Sequence, residues 1–163
     1  MTLGFISIGS NIDREQNIAA GLRSLSEIFG ELDISSVYES EPVGFTGDAF
    51  YNLVVGFTSD ADVKTVAAQL RELEFVHGRT SDSKKFSSRT LDLDLLLFGD
   101  SIVNDGKLNI PRDDIVRYAF VLEPLAEIAP HLKHPVLQQS YAQLWADMPK
   151  DGLKQWRVDV KLG

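Results

Sequence analysis

The stretch Arg89-Thr90-Leu91-Asp92-Leu93-Asp94-Leu95-Leu96-Leu97-Phe98 decides how this chain is read. Leu91 to Phe98 reads as a strand. Successive strand side chains point to opposite faces, so Asp92 and Asp94 share a face, with Cα atoms about 6.5–7 Å apart. Leu91, Leu93 and Leu95 fill the other face. Two carboxylates side by side in an apolar strand repel each other unless a cation lies between them. Mg²⁺ suits such a pair, because it takes one or two carboxylates and completes its shell with waters and phosphates. The alternative is a solvent-facing stripe that keeps a sheet edge from pairing.

Working outward, Leu3 to Ile8 is a strand running into a turn at Gly9-Ser10-Asn11. Ile18, Leu22, Leu25 and Phe29 recur at helical spacing, and Gly30 suits the position just past the helix end. Ile34 to Tyr38 reads as a strand, residues 39–49 as a loop, and Tyr51 to Thr58 as a longer strand. Asp62 is placed to cap a second helix that buries Val66, Leu70 and Leu73 and ends at Gly78. Thr80 to Ser88 is a polar loop leading to the aspartate strand, and Leu108 to Ile110 pairs back against that strand. After Pro111 the chain is mostly helical, with a capping pattern at Ser140 and Gln143. The order strand, helix, strand, strand, helix, strand predicts an α+β, ferredoxin-like split βαβ fold. It has an antiparallel sheet, helices on one face, and a C-terminal helical extension. Val158-Asp159-Val160 could add an edge strand.

With 163 residues and no linker or repeat, the chain reads as one domain, 1–163. Its 44% hydrophobic and 25% charged residues argue against disorder. No apolar run reaches the roughly 20 residues of a membrane span, and the start has no secretory pattern. Zero Cys excludes a disulfide framework and a thiol nucleophile, which suits the cytoplasm. The net charge of −8 argues against nucleic acid as partner. Residues 1–62 carry two basic and ten acidic groups, so the whole excess lies there. Oligomeric state is read as monomer or weak oligomer.

Arg79, Lys84, Lys85 and Arg89, against Asp82 alone, give residues 79–89 a charge of +3 directly before the aspartates. Such groups offset phosphate charge that a metal leaves uncovered. No G-x-x-x-x-G-K-[ST] motif is present. His77, His131 and His134 read as structural. Phe50 and Phe120 read as core on pattern alone, and Asn52 is an unusual strand residue that could meet a ligand edge.

The chain resembles the 6-hydroxymethyl-7,8-dihydropterin pyrophosphokinase family. The matching segments are Ile8-Gly9-Ser10-Asn11, Val37 to Gly44, Phe50-Tyr51-Asn52, Glu74 through Arg79, Arg89 to Asp94, and Phe120 to Leu125. The resemblance implies a ferredoxin-like fold and ATP-dependent pyrophosphoryl transfer to a pterin hydroxymethyl group in folate biosynthesis, releasing AMP. It implies Asp92 and Asp94 as ligands of two Mg²⁺ ions, acting in catalysis with Arg79 and Arg89. Ser40, Val43, Phe50, Asn52 and Phe120 would bind the pterin, the two phenylalanines stacking on its ring. Glu74, Arg79, Lys84, Lys85, Arg89, Lys107 and Arg112 would bind ATP. Residues 44–49 and 80–88 would close over the reactants.

The chain departs from the family pattern at Arg112, where His is usual, and at Tyr118, where Arg is usual, with Arg117 one place early. Ser81, Phe86 and Ser88 stand where Arg, Trp and Pro are common. All five fall on the ATP and loop-closing side, where Arg112, Lys84 and Lys85 could replace lost phosphate contacts. Two other readings remain open at this point: a pyrophosphokinase for a different pterin, and a module that binds pterin or nucleotide without turnover.

Overall fold

The computed structural model describes residues 1–41, 48–77 and 90–160. From the N-terminus its elements are β1 (Thr2–Ser10), α1 (Arg14–Phe29), β2 (Asp33–Ile34), β3 (Val37–Ser40), β4 (Phe50–Ser59) and α2 (Val63–Val76). There follow β5 (Asp92–Phe98), β6 (Val103–Asp105), β7 (Leu108–Ile110), α3 (Asp114–Arg117), α4 (Ala119–Ile128), α5 (Tyr141–Asp147) and β8 (Gln155–Val158). The main sheet has the order β5-β1-β4-β3-β8, with β2 also on β4. Its named pairings are all antiparallel. This is the ferredoxin-like arrangement expected from the element order, with β8 added as an edge strand.

The sheet separates two cores. On one face Ile18, Leu22 and Leu25 of α1 and Val66 and Leu70 of α2 pack on Ile6, Ile8, Leu53, Val55, Leu91, Leu93 and Leu95. Each such Leu or Ile, fully buried, stabilises the fold by about 1.5–3 kcal/mol. The C-terminal extension covers the other face, where Val121, Leu122, Leu125 and Tyr141 meet Phe5, Val54, Leu96 and Leu97. Leu97 joins this second core because the β1–β5 register shifts: Ile6 faces Leu95 but Phe5 faces Leu97. The extra residue resets the alternation.

The helix ends follow the sequence signals where they are described. Asp62 accepts from the Thr65 N–H at 2.8 Å, and Ser140 Oγ accepts from the Gln143 N–H at 3.1 Å. Gly30 ends α1 with φ +81° and donates to the Ser26 carbonyl. Gly78 lies outside the described residues.

Three local expectations are corrected. The strand expected over Ile34–Tyr38 is broken, because Ser35 N–H donates to the Val54 carbonyl while Ser35 Oγ accepts from the Val54 N–H. One residue thus takes both bonds of a ladder position, and Ser36 turns to Glu127 of α4 instead. The first strand does not turn at Gly9 but runs on to Ser10, paired with Tyr51. Leu108–Ile110 pairs with Val103–Asp105 in a separate hairpin rather than with the aspartate strand.

Candidate active site

Strand register assembles the site on the face opposite α1 and α2. Gly9 pairs with Asp92 on one side and Asn52 on the other, and Asn52 pairs with Tyr38. Directly opposed residues share a face. The row Asp92, Gly9, Asn52, Tyr38 therefore crosses four strands, with about 10 Å between Asp92 and Asn52. Ser7 extends the floor beside Asp94. Gly9 keeps the floor open: a Cβ there would lie 3.1 Å from Asn52 Oδ1 and 3.7 Å from Phe50 Cδ1.

At the β5 end stands a carboxylate cluster. Glu74, Asp92 and Asp94 each offer an oxygen within 4.8 Å of the others. Since β5 is an edge strand, its outward Leu93 N–H needs a partner, and buried Glu74 accepts it at 2.9 Å. The same side chain thereby reaches the two aspartates. Three hard carboxylate donors fit Mg²⁺ and suit no soft metal. Sequence reasoning placed Glu74 with ATP, not with the metal pair. The available signal was its position in the row Val66, Leu70, Glu74, an acid continuing a buried helical stripe.

Arg112 closes the cluster. Its backbone N–H donates to the Leu96 carbonyl of β5 at 3.0 Å. Its Nη2 lies 3.6 Å from Asp94 Oδ1, and its Nε 3.3 Å from Asp114 Oδ2. Burial alone would lower its pKa, but Asp94, Asp114 and Asp92 outweigh burial and raise it above the ordinary value. The guanidinium is a permanent cation beside Asp92 and Asp94. Lys107 is exposed in the turn between β6 and β7. Val43, Arg79, Lys84, Lys85 and Arg89 lie outside the described residues, as do Ser81, Phe86 and Ser88 and most of both expected closing loops.

At the β3–β4 end, buried Asn52 donates through Nδ2 to Ser40 Oγ at 2.9 Å. Ser40 pairs with half-buried Phe50. Helix α4 lies over this face, because Tyr38 O–H donates to Glu127 Oε1 at 2.7 Å. At its other end the Ala119 carbonyl accepts from Gln155, the register partner of Ser40. The helix thus runs along β3 and brings Phe120 to the Ser40–Phe50 end. The Phe120 ring stacks on Tyr118, with centroids 5.0 Å apart and planes 18° apart. Tyr118, read in the sequence as a change on the ATP side, therefore braces the aromatic expected to meet the pterin.

The histidines are structural where contacts define them. His77 Nε2 lies 3.3 Å from Ser24 Oγ, linking α2 to α1. His134 Nδ1 accepts from the N–H groups of Val136 and Leu137. No described helix is long and apolar enough to cross a membrane.

Comparison with known proteins bears on the same segments. The family model described as 7,8-dihydro-6-hydroxymethylpterin-pyrophosphokinase matches residues 5–130. A Haemophilus influenzae protein named 2-amino-4-hydroxy-6-hydroxymethyldihydropteridine pyrophosphokinase is 32% identical, over 83% of this chain and 86% of its own. The Pseudomonas aeruginosa protein of the same name is 30% identical, over 93% and 94%. Among solved structures, wild-type Plasmodium falciparum HPPK-DHPS with pteroate superimposes with TM-score 0.72 at 14% identity. That likeness covers 90% of this chain and 42% of the Plasmodium chain, so this chain spans less than half its length. The match over residues 5–130 takes in both ends of the site just described, and the chain belongs to the 7,8-dihydro-6-hydroxymethylpterin-pyrophosphokinase family.

Proposed function

We propose that this chain transfers the pyrophosphoryl group of ATP to the hydroxymethyl oxygen of 6-hydroxymethyl-7,8-dihydropterin, a step of folate biosynthesis. The observation that carries the reading is the row through Gly9, which joins a carboxylate cluster to Asn52 and its neighbour Phe50 on one sheet face. The separation of about 10 Å across two strand spacings leaves room for a flat ring at one end and a phosphate chain at the other.

In this reading Phe50 and Phe120 hold the pterin ring, and Asn52 and Ser40, with Val43, meet its hydrogen-bonding edge. Asp92 and Asp94 would hold two Mg²⁺ ions arriving with ATP, with Glu74 beside them. Bound there, magnesium supplies charge neutralisation on the phosphate oxygens. The hydroxymethyl oxygen bonds to the β-phosphorus, the bond from that phosphorus to the α,β-bridging oxygen breaks, and AMP leaves. The hydroxyl proton is lost in the same step, and Asp92 would be the carboxylate that helps to remove it. The chain's main contribution is alignment of the oxygen with the phosphorus, since phosphoryl-type transfer asks for position and charge more than covalent chemistry. Arg112 adds a fixed cation at Asp94, and Arg79, Lys84, Lys85, Arg89 and Lys107 complete the phosphate side. The lack of Cys supports a cytoplasmic setting.

The test is AMP release from ATP and Mg²⁺. AMP that requires 6-hydroxymethyl-7,8-dihydropterin and disappears in Asp94→Ala supports the reading. AMP with only a different pterin moves the substrate assignment. Tight pterin binding with no AMP refutes turnover.

A further inference from the structure

The C-terminal strand is tied to the pterin end of the site by side chains as well as by its ladder. Gln155 pairs with Ser40, Trp156 with Glu39 and Arg157 with Tyr38. Trp156 Nε1–H donates to Glu39 Oε1 at 3.1 Å, and Arg157 Nη2 donates to Tyr38 Oη at 3.1 Å. Gln155 reaches the start of α4, whereas Arg157 meets its far end, 3.7 Å from Glu127 Oε1. Gln155 Nε2 donates to the Ala119 carbonyl at 3.1 Å and to Glu123 Oε1 at 2.8 Å. Both acceptors lie in the first turns of the helix that carries Phe120.

A ring at the start of a helix is only as fixed as that first turn, which tends to fray. Tyr118 and Ala119 adopt no side-chain cap here. The amide of Gln155 caps no N–H, but by donating to the Ala119 carbonyl and to Glu123 it holds the start of α4 to the strand beside Ser40. We propose that Gln155 is a positioning residue for the pterin ring. It sets the distance between Phe120 above and the Ser40–Phe50 floor below, so the tail completes the pterin end of the site. This rests on the pterin reading of that pocket.

Gln155→Leu removes the amide and keeps the bulk, while Gln155→Lys keeps a donor for both acceptors. In the full-length chain, Gln155→Leu should weaken pterin affinity about tenfold, the scale of one lost hydrogen bond. It should raise KM for the pterin while kcat and KM for ATP stay within about twofold, and Gln155→Lys should recover most of the loss. Without ligand, amide hydrogen exchange across residues 118–123 should quicken in Gln155→Leu and return in Gln155→Lys. Arg157→Ala loosens the same strand at Tyr38 and at Glu127, the far end of α4, without touching its first turns, so it should leave pterin affinity in place.

Unchanged affinity in Gln155→Leu overturns the inference. So does an equal loss in Arg157→Ala, which would mean general loosening. If Gln155→Leu does not fold, Gln155→Lys decides: exchange at 118–123 as slow as in the unaltered chain supports the tether, and faster exchange refutes it. An unaltered chain that binds no pterin refutes the functional reading. Altered exchange at 118–123 would then still support the tether, and unaltered exchange would remove both.

Discussion

Arg112 Nη2 lies 3.6 Å from Asp94 Oδ1. A side chain absent from the usual family pattern thus stands next to the carboxylate pair that the pattern retains. The chain returns here because the Arg112 N–H bonds to the Leu96 carbonyl on the open edge of β5. Asp114, 3.3 Å from Nε, steadies the guanidinium from the other side. The result is a cation whose charge does not depend on pH, placed where ATP phosphates would meet the metal pair.

Arg112→Ala should therefore act on the nucleotide and not on the pterin. The expected loss in kcat/KM for ATP is more than tenfold, about 1.4 kcal/mol of transition-state stabilisation. KM for the pterin should stay unchanged. Steady-state kinetics with each substrate varied in turn measure both, and unchanged ATP kinetics would remove Arg112 from the phosphate side.

The carboxylate cluster makes a prediction about stability. Glu74, Asp92 and Asp94 bring oxygens within 4.8 Å of one another, so their like charges repel, and a bound cation would add to the compensation that Arg112 gives Asp94. Mg²⁺ should raise the melting temperature of the unaltered chain. At ten times Kd the gain is about 1.4 kcal/mol, or about 4 °C for a chain of this size. Asp92→Asn should lose most of the Mg²⁺ response. A melting temperature that rises equally in both proteins would mean that the ion binds elsewhere.

Gly9 yields a prediction that concerns shape and not charge. A methyl group there would come 3.1 Å from Asn52 Oδ1, tight enough to push the amide away from Ser40. Gly9→Ala should fold, since Asn52 can give by a few tenths of an ångström. Its pterin KM should rise about tenfold, as one well-placed hydrogen bond is lost or misaligned. KM for ATP should change little. Equal kinetics would show that Asn52 is not the group that reads the pterin.

How much of this was legible in the chain depends on how far apart the partners are in sequence. Asp92 and Asp94 were readable as a pair because a strand's period of two is local. The helices were readable because Leu22 and Leu25, or Val66 and Leu70, repeat within a turn or two. Glu74 reads as a site residue in the sequence, but its closeness to Asp92 and Asp94 does not. Its place at the aspartates depends on how α2 docks against an edge strand, which no local pattern encodes. The contact that Tyr118 makes is beyond local reading for a related reason. Its stack on Phe120 requires the break between α3 and α4, where its φ and ψ are extended. The split of the second strand turned on a single hydroxyl, since Ser35 Oγ supplants a backbone acceptor. Gly9 looked like a turn because Gly-Ser-Asn usually is one. It is strand because both neighbours, β4 and β5, extend far enough to pair with it.

His134 gives a prediction about pH that is independent of the active site. It is buried, 7% exposed, and its Nδ1 accepts from the Val136 and Leu137 N–H groups at 3.1 Å each. An acceptor nitrogen carries no proton, so these bonds require the neutral ring. Burial lowers the pKa below its ordinary 6.5 in the folded state. Above that ordinary value the ring is neutral whether the chain is folded or not, and the stabilisation is fully present. As pH falls below it, the unfolded chain takes up a proton that the folded chain does not. Stability is then lost until the pH passes the lowered folded value. The slope cannot exceed about 1.4 kcal/mol per pH unit, the limit for one whole proton. His134→Asn keeps an acceptor oxygen near the position of Nδ1 and cannot titrate. Urea unfolding at pH 7.5 and pH 5.5 should show the unaltered chain losing more stability than His134→Asn. The difference between the two cancels the carboxylates, which titrate in both, so equal losses would mean that the imidazole does not carry the effect.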